Sequence, residues 1–99
     1  MAHRLVAAVR ADRDVEDAFE WYEKQQSDLG LEFLDELRGS YARIAENPPK
    51  YRELRSGIRR ALLRRFPYAV YFAVEGQVAV ILAVLHVGRD PVEWQARGG

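Results

Sequence analysis

No cysteine occurs in the 99 residues, which excludes a disulfide framework, a thiolate metal site and a cysteine nucleophile. Lysine is nearly absent too: Lys24 and Lys50 stand against thirteen arginines. The longest apolar run, Val78 to Leu85, has eight residues, too few to cross a bilayer as a helix. No basic-then-apolar leader pattern opens the chain. The expectation is a cytoplasmic protein with no membrane partner. Metal-ligand spacings are missing, and Gly30 and Gly57 are isolated rather than part of a phosphate-cradling loop. Neither a metal nor a cofactor is expected.

What is present suits one folded unit. Apolar residues make up 48% of the chain, enough for a single core in a domain spanning 1–99. The net charge is zero, yet the charges are segregated. Residues 12–46 hold eleven acids and four bases, whereas residues 50–65 hold seven bases and one acid. An acidic half and a basic strip can therefore meet different partners, or pair across two copies, so a homodimer is one candidate assembly.

The hydrophobic period changes twice along the chain. His3 to Val9 is short and apolar and reads as a strand. From Asp12, acids crowd a first turn, with Asp12 or Asp14 as N-cap, and Val15, Ala18, Phe19 and Tyr22 recur at helical spacing to about Gln26. Gly30 is suited to the left-handed conformation that ends a helix. Phe33, Leu34, Leu37, Tyr41 and Ile44 then mark a second helical face, which Asn47-Pro48-Pro49 stops. After that the period falls to two. Tyr51 to Leu54 suits a short extended piece, Ser56-Gly57 a turn and Ile58 to Phe66 a strand broken by Pro67. Tyr68 to Val74 and Val78 to Val87 are two further strands around a Gly76 hairpin. The tail is expected to be a turn and a short helical or irregular end.

The resulting order, β-α-α-β-β-β, is an α+β fold with a helical hairpin packed on one face of a mostly antiparallel sheet. Strict alternation sets Val70, Phe72 and Val74 against Tyr71 and Ala73, and Val80, Leu82 and Val84 against Ile81 and Leu85. Both faces are apolar. A sheet with one wet face alternates apolar with polar, so the second face is expected to be covered in part by another chain.

Five stretches in order carry a family resemblance: Asp14 to Tyr22 (DVEDAFEWY), Leu29 to Leu37 (LGLEFLDEL), Ile44 to Pro49 (IAENPP), Ile58 to Tyr68 (IRRALLRRFPY) and Leu85 to Arg97 (LHVGRDPVEWQAR). Together they resemble the RelE/ParE superfamily of toxins from type II toxin-antitoxin modules. The resemblance implies a growth-inhibiting toxin held inactive by a cognate antitoxin. It also implies one of two targets, DNA gyrase for ParE-like members or mRNA on the ribosome for RelE-like endoribonucleases.

RNA cleavage needs cations for the scissile phosphate and a group that exchanges protons. Here Arg60, Arg64 or Arg65, and Arg89 are the candidates for the first role and His86 for the second. A basic cluster rich in lysine is missing, and no tyrosine follows Tyr71, which favours the ParE-like reading. That reading needs only a surface, for which Arg59, Arg60, Arg64, Arg65, Tyr71 and Arg89 are candidate target- or antitoxin-binding residues. The plainer alternative for the arginines is a solvated face that pairs with the acidic helices. Phe19, Trp21, Tyr22, Phe33 and Tyr41 read as core, Glu20 and Glu23 as a solvated acidic face, and Trp94 with Arg89-Asp90 as pins for the tail.

Overall fold

The computed structural model describes residues 2–88 and 91–98. Strand β1 (Arg4–Ala7) leads into helices α1 (Val9–Gln25) and α2 (Leu29–Glu46). A 3-10 turn at Pro48–Lys50 follows, then strands β2 (Glu53–Arg55), β3 (Ile58–Leu62), β4 (Tyr68–Glu75) and β5 (Val78–His86), and helix α3 (Pro91–Gly98). One sheet takes all five strands in the order β1-β5-β4-β3-β2. Only the β1/β5 pair is parallel. The α+β class and the hairpin-on-sheet layering are as expected. The short extended piece proves to be a strand, and the tail ends in a helix.

Helix α1 buries Ala11, Ala18 and Tyr22, with Val15 partly buried between them, and α2 buries Gly30, Phe33, Leu37, Ser40 and Ile44. The first set is spaced 4-3-4 and the second 3-4-3-4, which lays one stripe along each helix. The stripes meet Ala61, Leu63, Val70, Phe72, Ala79, Ile81 and Val84 on one face of the sheet.

Several boundaries differ from those read off the sequence. Helix α1 starts at Val9, its N-cap is Ala8, and no side chain caps it, so neither Asp12 nor Asp14 has that role. Gly30 lies inside α2 and does not terminate α1. The left-handed residue between the helices is Asp28, at φ 71°. Glycine is required at 30 for a different reason: a Cβ there would lie 2.8 Å from Phe19 O, Phe19 Cδ1 and Glu23 Cγ. The two helices touch at that point. Glu23 belongs to no solvated face, because its carboxylate accepts the backbone N–H of Gly30 at 2.7 Å and of Asp28 at 3.3 Å. A side chain of α1 thus satisfies amides at the start of α2.

Strand β3 ends at Leu62 rather than running to Phe66. Residues 63–67 form a loop in which Phe66 leaves the strand direction and packs between Tyr22 (4.9 Å between centroids) and Phe33 (5.4 Å). Burying that ring outweighs the one or two ladder bonds that a longer strand would form.

The alternation in β5 also breaks. Tyr71 pairs with Ala83 but Phe72 with Ile81, so Leu82 is an extra residue, a β-bulge. Beyond it the faces exchange. Ile81 and Val84 both pack under the hairpin, while Ala83 and Leu85 lie on the opposite face with Ile58, Ala69, Tyr71 and Trp94. Part of the cover for that second face is therefore α3, from the same chain. Trp94 is 8% exposed and stacks on Tyr71 with centroids 5.2 Å apart and planes at 8°.

Candidate functional site

The basic strip divides into three environments. Arg59 is a structural tie: its Nη1 donates to Tyr51 O at 2.6 Å and Pro49 O at 3.4 Å, and its Nη2 lies 3.7 Å from Glu53. It fastens the segment after α2 to β3. Arg60 is half-buried on the α3 side of the sheet, in register with Tyr71. Arg64 and Arg65 occupy the loop after β3. Their backbone N–H groups both donate to Glu36, and the Arg65 guanidinium pairs with Glu32 while lying 5.5 Å from the Phe66 ring. Hydrogen bonding to Glu32 raises the Arg65 pKa. Among the described residues, no ion pair involves the side chain of Arg60 or Arg64.

Arg64 and Arg65 line a cavity of about 290 Å³ with Glu32, Asp35, Glu36 and Arg43. His86 lines a separate cavity of about 660 Å³, with Asp14, Asp17, Trp21, Tyr68 and Arg97 among its neighbours. Arg64 and Arg65 thus line one cavity and His86 another. The His86 ring meets Tyr68 edge-on at 5.5 Å, and its Nδ1 accepts the Gly88 N–H at 3.0 Å, which leaves Nε2 to carry the proton in the neutral ring. Tyr71, a candidate contact residue, is only 4% exposed beneath Trp94. Arg89 and Asp90 lie outside the described residues; Trp94 does pin the tail.

Sequence reasoning missed the most buried ion pair among the described residues. Arg97 in α3 donates from Nη1 to Asp14 Oδ2 at 2.8 Å and from Nη2 to Asp14 Oδ1 at 3.1 Å, a bidentate pair with side chains 7% and 13% exposed. Its pKa is raised, first by the hydrogen bond to Asp14. The pair also serves β5. Asp14 Oδ2 accepts the Val84 N–H at 3.0 Å, and Arg97 Nη1 donates to Leu82 O at 3.2 Å. Strand β1 reaches only to Ile81, so these β5 groups have no strand partner on that side. Trp21, read as core, is 56% exposed beside this cavity. The available signal was that Asp14 opens the first of the five motif stretches and Arg97 closes the last; their 83-residue separation hid the contact.

Among the described residues no cluster of His, Asp and Glu is arranged to hold a metal ion, and no helix is long and apolar enough to cross a membrane. A family model described as the ParE toxin of the type II toxin-antitoxin system parDE matches residues 5–91. The chain belongs to the ParE toxin family. It is thus the toxin component of a type II toxin-antitoxin module, as the motif order implied. The fold agrees with that membership. The chain is similar to a chromosomal ParDE toxin-antitoxin protein from P. aeruginosa, with a TM-score of 0.78 and 18% identity over 86% of this chain and 96% of that one. It is also similar to a free-state mutant of the E. coli toxin RelE (TM-score 0.66, 18% identity, 99% and 95% covered). A chain of a RelBE toxin-antitoxin complex from Mycobacterium tuberculosis is a third similar structure (TM-score 0.59, 17% identity, 87% and 92% covered). No curated protein matches at a significant level.

Proposed function

We propose that this ParE-family toxin inhibits growth by binding DNA gyrase in the cytoplasm and that a cognate antitoxin holds it inactive. The observation that carries the reading is that Glu36 and Glu32 already engage Arg64 and Arg65, which line one cavity, while His86 lines another. A ribonuclease needs such groups around one phosphate, whereas a binding protein needs none of that convergence. The proposed target contacts are Arg60 and Arg64, the two arginines of the central four whose side chains form no ion pair among the described residues. Basic side chains of this kind complement an acidic patch on a protein surface.

The test compares two readouts of the purified toxin. Inhibition of gyrase supercoiling with accumulation of cleaved DNA complexes is expected, and Arg60→Glu combined with Arg64→Glu raises the inhibitory concentration at least tenfold. Cleavage of mRNA on stalled ribosomes, with gyrase unaffected, would replace this reading by the RelE-like one.

A further inference from the structure

The bulge at Leu82 leaves an open strand edge. Before it, odd-numbered residues of β5 face β1: Arg4 N–H donates to Gln77 O at 2.8 Å and Ala8 N–H to Ile81 O at 2.9 Å. After it the parity changes. Val87 N–H donates to Pro67 O at 2.9 Å, on the β4 side, so Leu85 and Ala83 also direct their backbone groups toward β4. Val84 and His86 then direct theirs away from β4, on the line where β1 has already ended. The Val84 N–H has its partner in Asp14. The Val84 carbonyl and the His86 N–H and carbonyl have none among the described residues.

This edge opens into the cavity of about 660 Å³ whose walls include Asp17 and the exposed indole of Trp21 on α1. The geometry points to a docking site for one extended segment of the antitoxin, which adds as a short strand to β5 in line with β1; this rests on the toxin-antitoxin reading above. A single residue of that segment bridges the edge, its N–H donating to Val84 O and its C=O accepting from His86 N–H. The complement of alternating amides and carbonyls at strand spacing is a peptide backbone. The side walls set the sequence preference. Trp21 offers an apolar surface to one side chain, and the exposed carboxylate of Asp17 favours a lysine or arginine beside it. Asp14 makes no such demand, because Arg97 already pairs with it.

His86→Pro tests the edge, since it deletes an outward-facing N–H while the preceding Leu85 is extended, the conformation a following proline prefers. His86→Ala removes the imidazole and keeps the N–H. Binding of the antitoxin encoded beside the toxin gene is expected to weaken at least tenfold more in His86→Pro than in His86→Ala. In the wild-type complex, the His86 amide exchanges with deuterium at least tenfold more slowly than in the free toxin, a measurement that stands even where His86→Pro fails to fold. Unchanged His86 exchange with the antitoxin still bound overturns the edge site and leaves the toxin-antitoxin reading intact. Equal weakening by both variants assigns the contact to the ring and also overturns it. Protection of His86 in the toxin alone, together with a dimeric mass, gives the edge to a second copy. An adjoining gene product that neither binds nor neutralises the wild-type toxin removes the toxin-antitoxin reading, and the edge site with it.

Discussion

Asp14 shows how one side chain can close several accounts at once. Its carboxylate meets both guanidinium nitrogens of Arg97 and the Val84 amide, and so joins α1, α3 and the unpaired length of β5. Breaking a buried pair by removing one member leaves the other charge without its partner, at a cost of about 3–5 kcal/mol. Glu93 lies 3.6 Å from Arg97 and offers a fallback, which places Asp14→Ala near the lower end, about 3 kcal/mol. Arg97→Met is expected to cost a similar amount. In urea denaturation, the double variant should lose less than the sum of the two by about 1–3 kcal/mol, the coupling of residues in direct contact. Strict additivity would mean that the pair contributes nothing as a pair.

Helix α3 was the element hardest to read from sequence, and the reason is physical. Residues 91–98 are too short for a clear helical period, and an isolated helix of that length does not persist in water. Its stability comes from the surface it covers. The apolar second face of the sheet was legible, but nothing local specified that part of its cover lay a few residues downstream. The bulge was hidden for a similar reason: every residue from Val78 to Leu85 is apolar, so a one-residue slip leaves no mark in the pattern. The hairpin of α1 and α2 was legible because Ala11, Ala18 and Tyr22 in one helix, and Phe33, Leu37 and Ile44 in the other, repeat over several turns. The anchor of α3 is Trp94. Trp94→Ala removes the stack on Tyr71 and is expected to cost about 3–5 kcal/mol, as aromatic truncations in cores do. The exposed Tyr71, Ala83 and Leu85 face should then bind a hydrophobic dye without loss of the hairpin's helical circular dichroism. Loss of both together would show that α3 and the hairpin fold as one unit.

At the scale of the whole molecule, charge segregation was plain in the sequence, but its internal pairing was not. Arg65 with Glu32, the Arg64 and Arg65 amides with Glu36, and Arg59 with Glu53 consume part of the complementarity within one chain. What remains is unequal. The outer face of the hairpin carries Asp12, Glu16 and Glu20 around an apolar groove formed with Val15, Phe19 and Leu34, and no ion pair among the described residues involves these three acids. Arg60, on the α3 side of the sheet, and the side chain of Arg64, in the loop beside α2, form no ion pair among the described residues. Such a molecule attracts its own copies through oppositely charged patches when screening is weak. The Debye length is about 30 Å at 0.01 M salt, comparable to the 39 × 30 × 22 Å dimensions of the chain, and about 8 Å at 0.15 M. Light scattering of the free toxin should therefore show an apparent mass that rises with concentration at the lower salt and returns to that of the 11.4 kDa monomer at the higher. Because such attraction joins unlike faces, it need not close into a symmetric pair. A dimer of fixed mass that persists unchanged in salt would instead require an apolar interface, and the groove beside Phe19 is the surface on which to seek it.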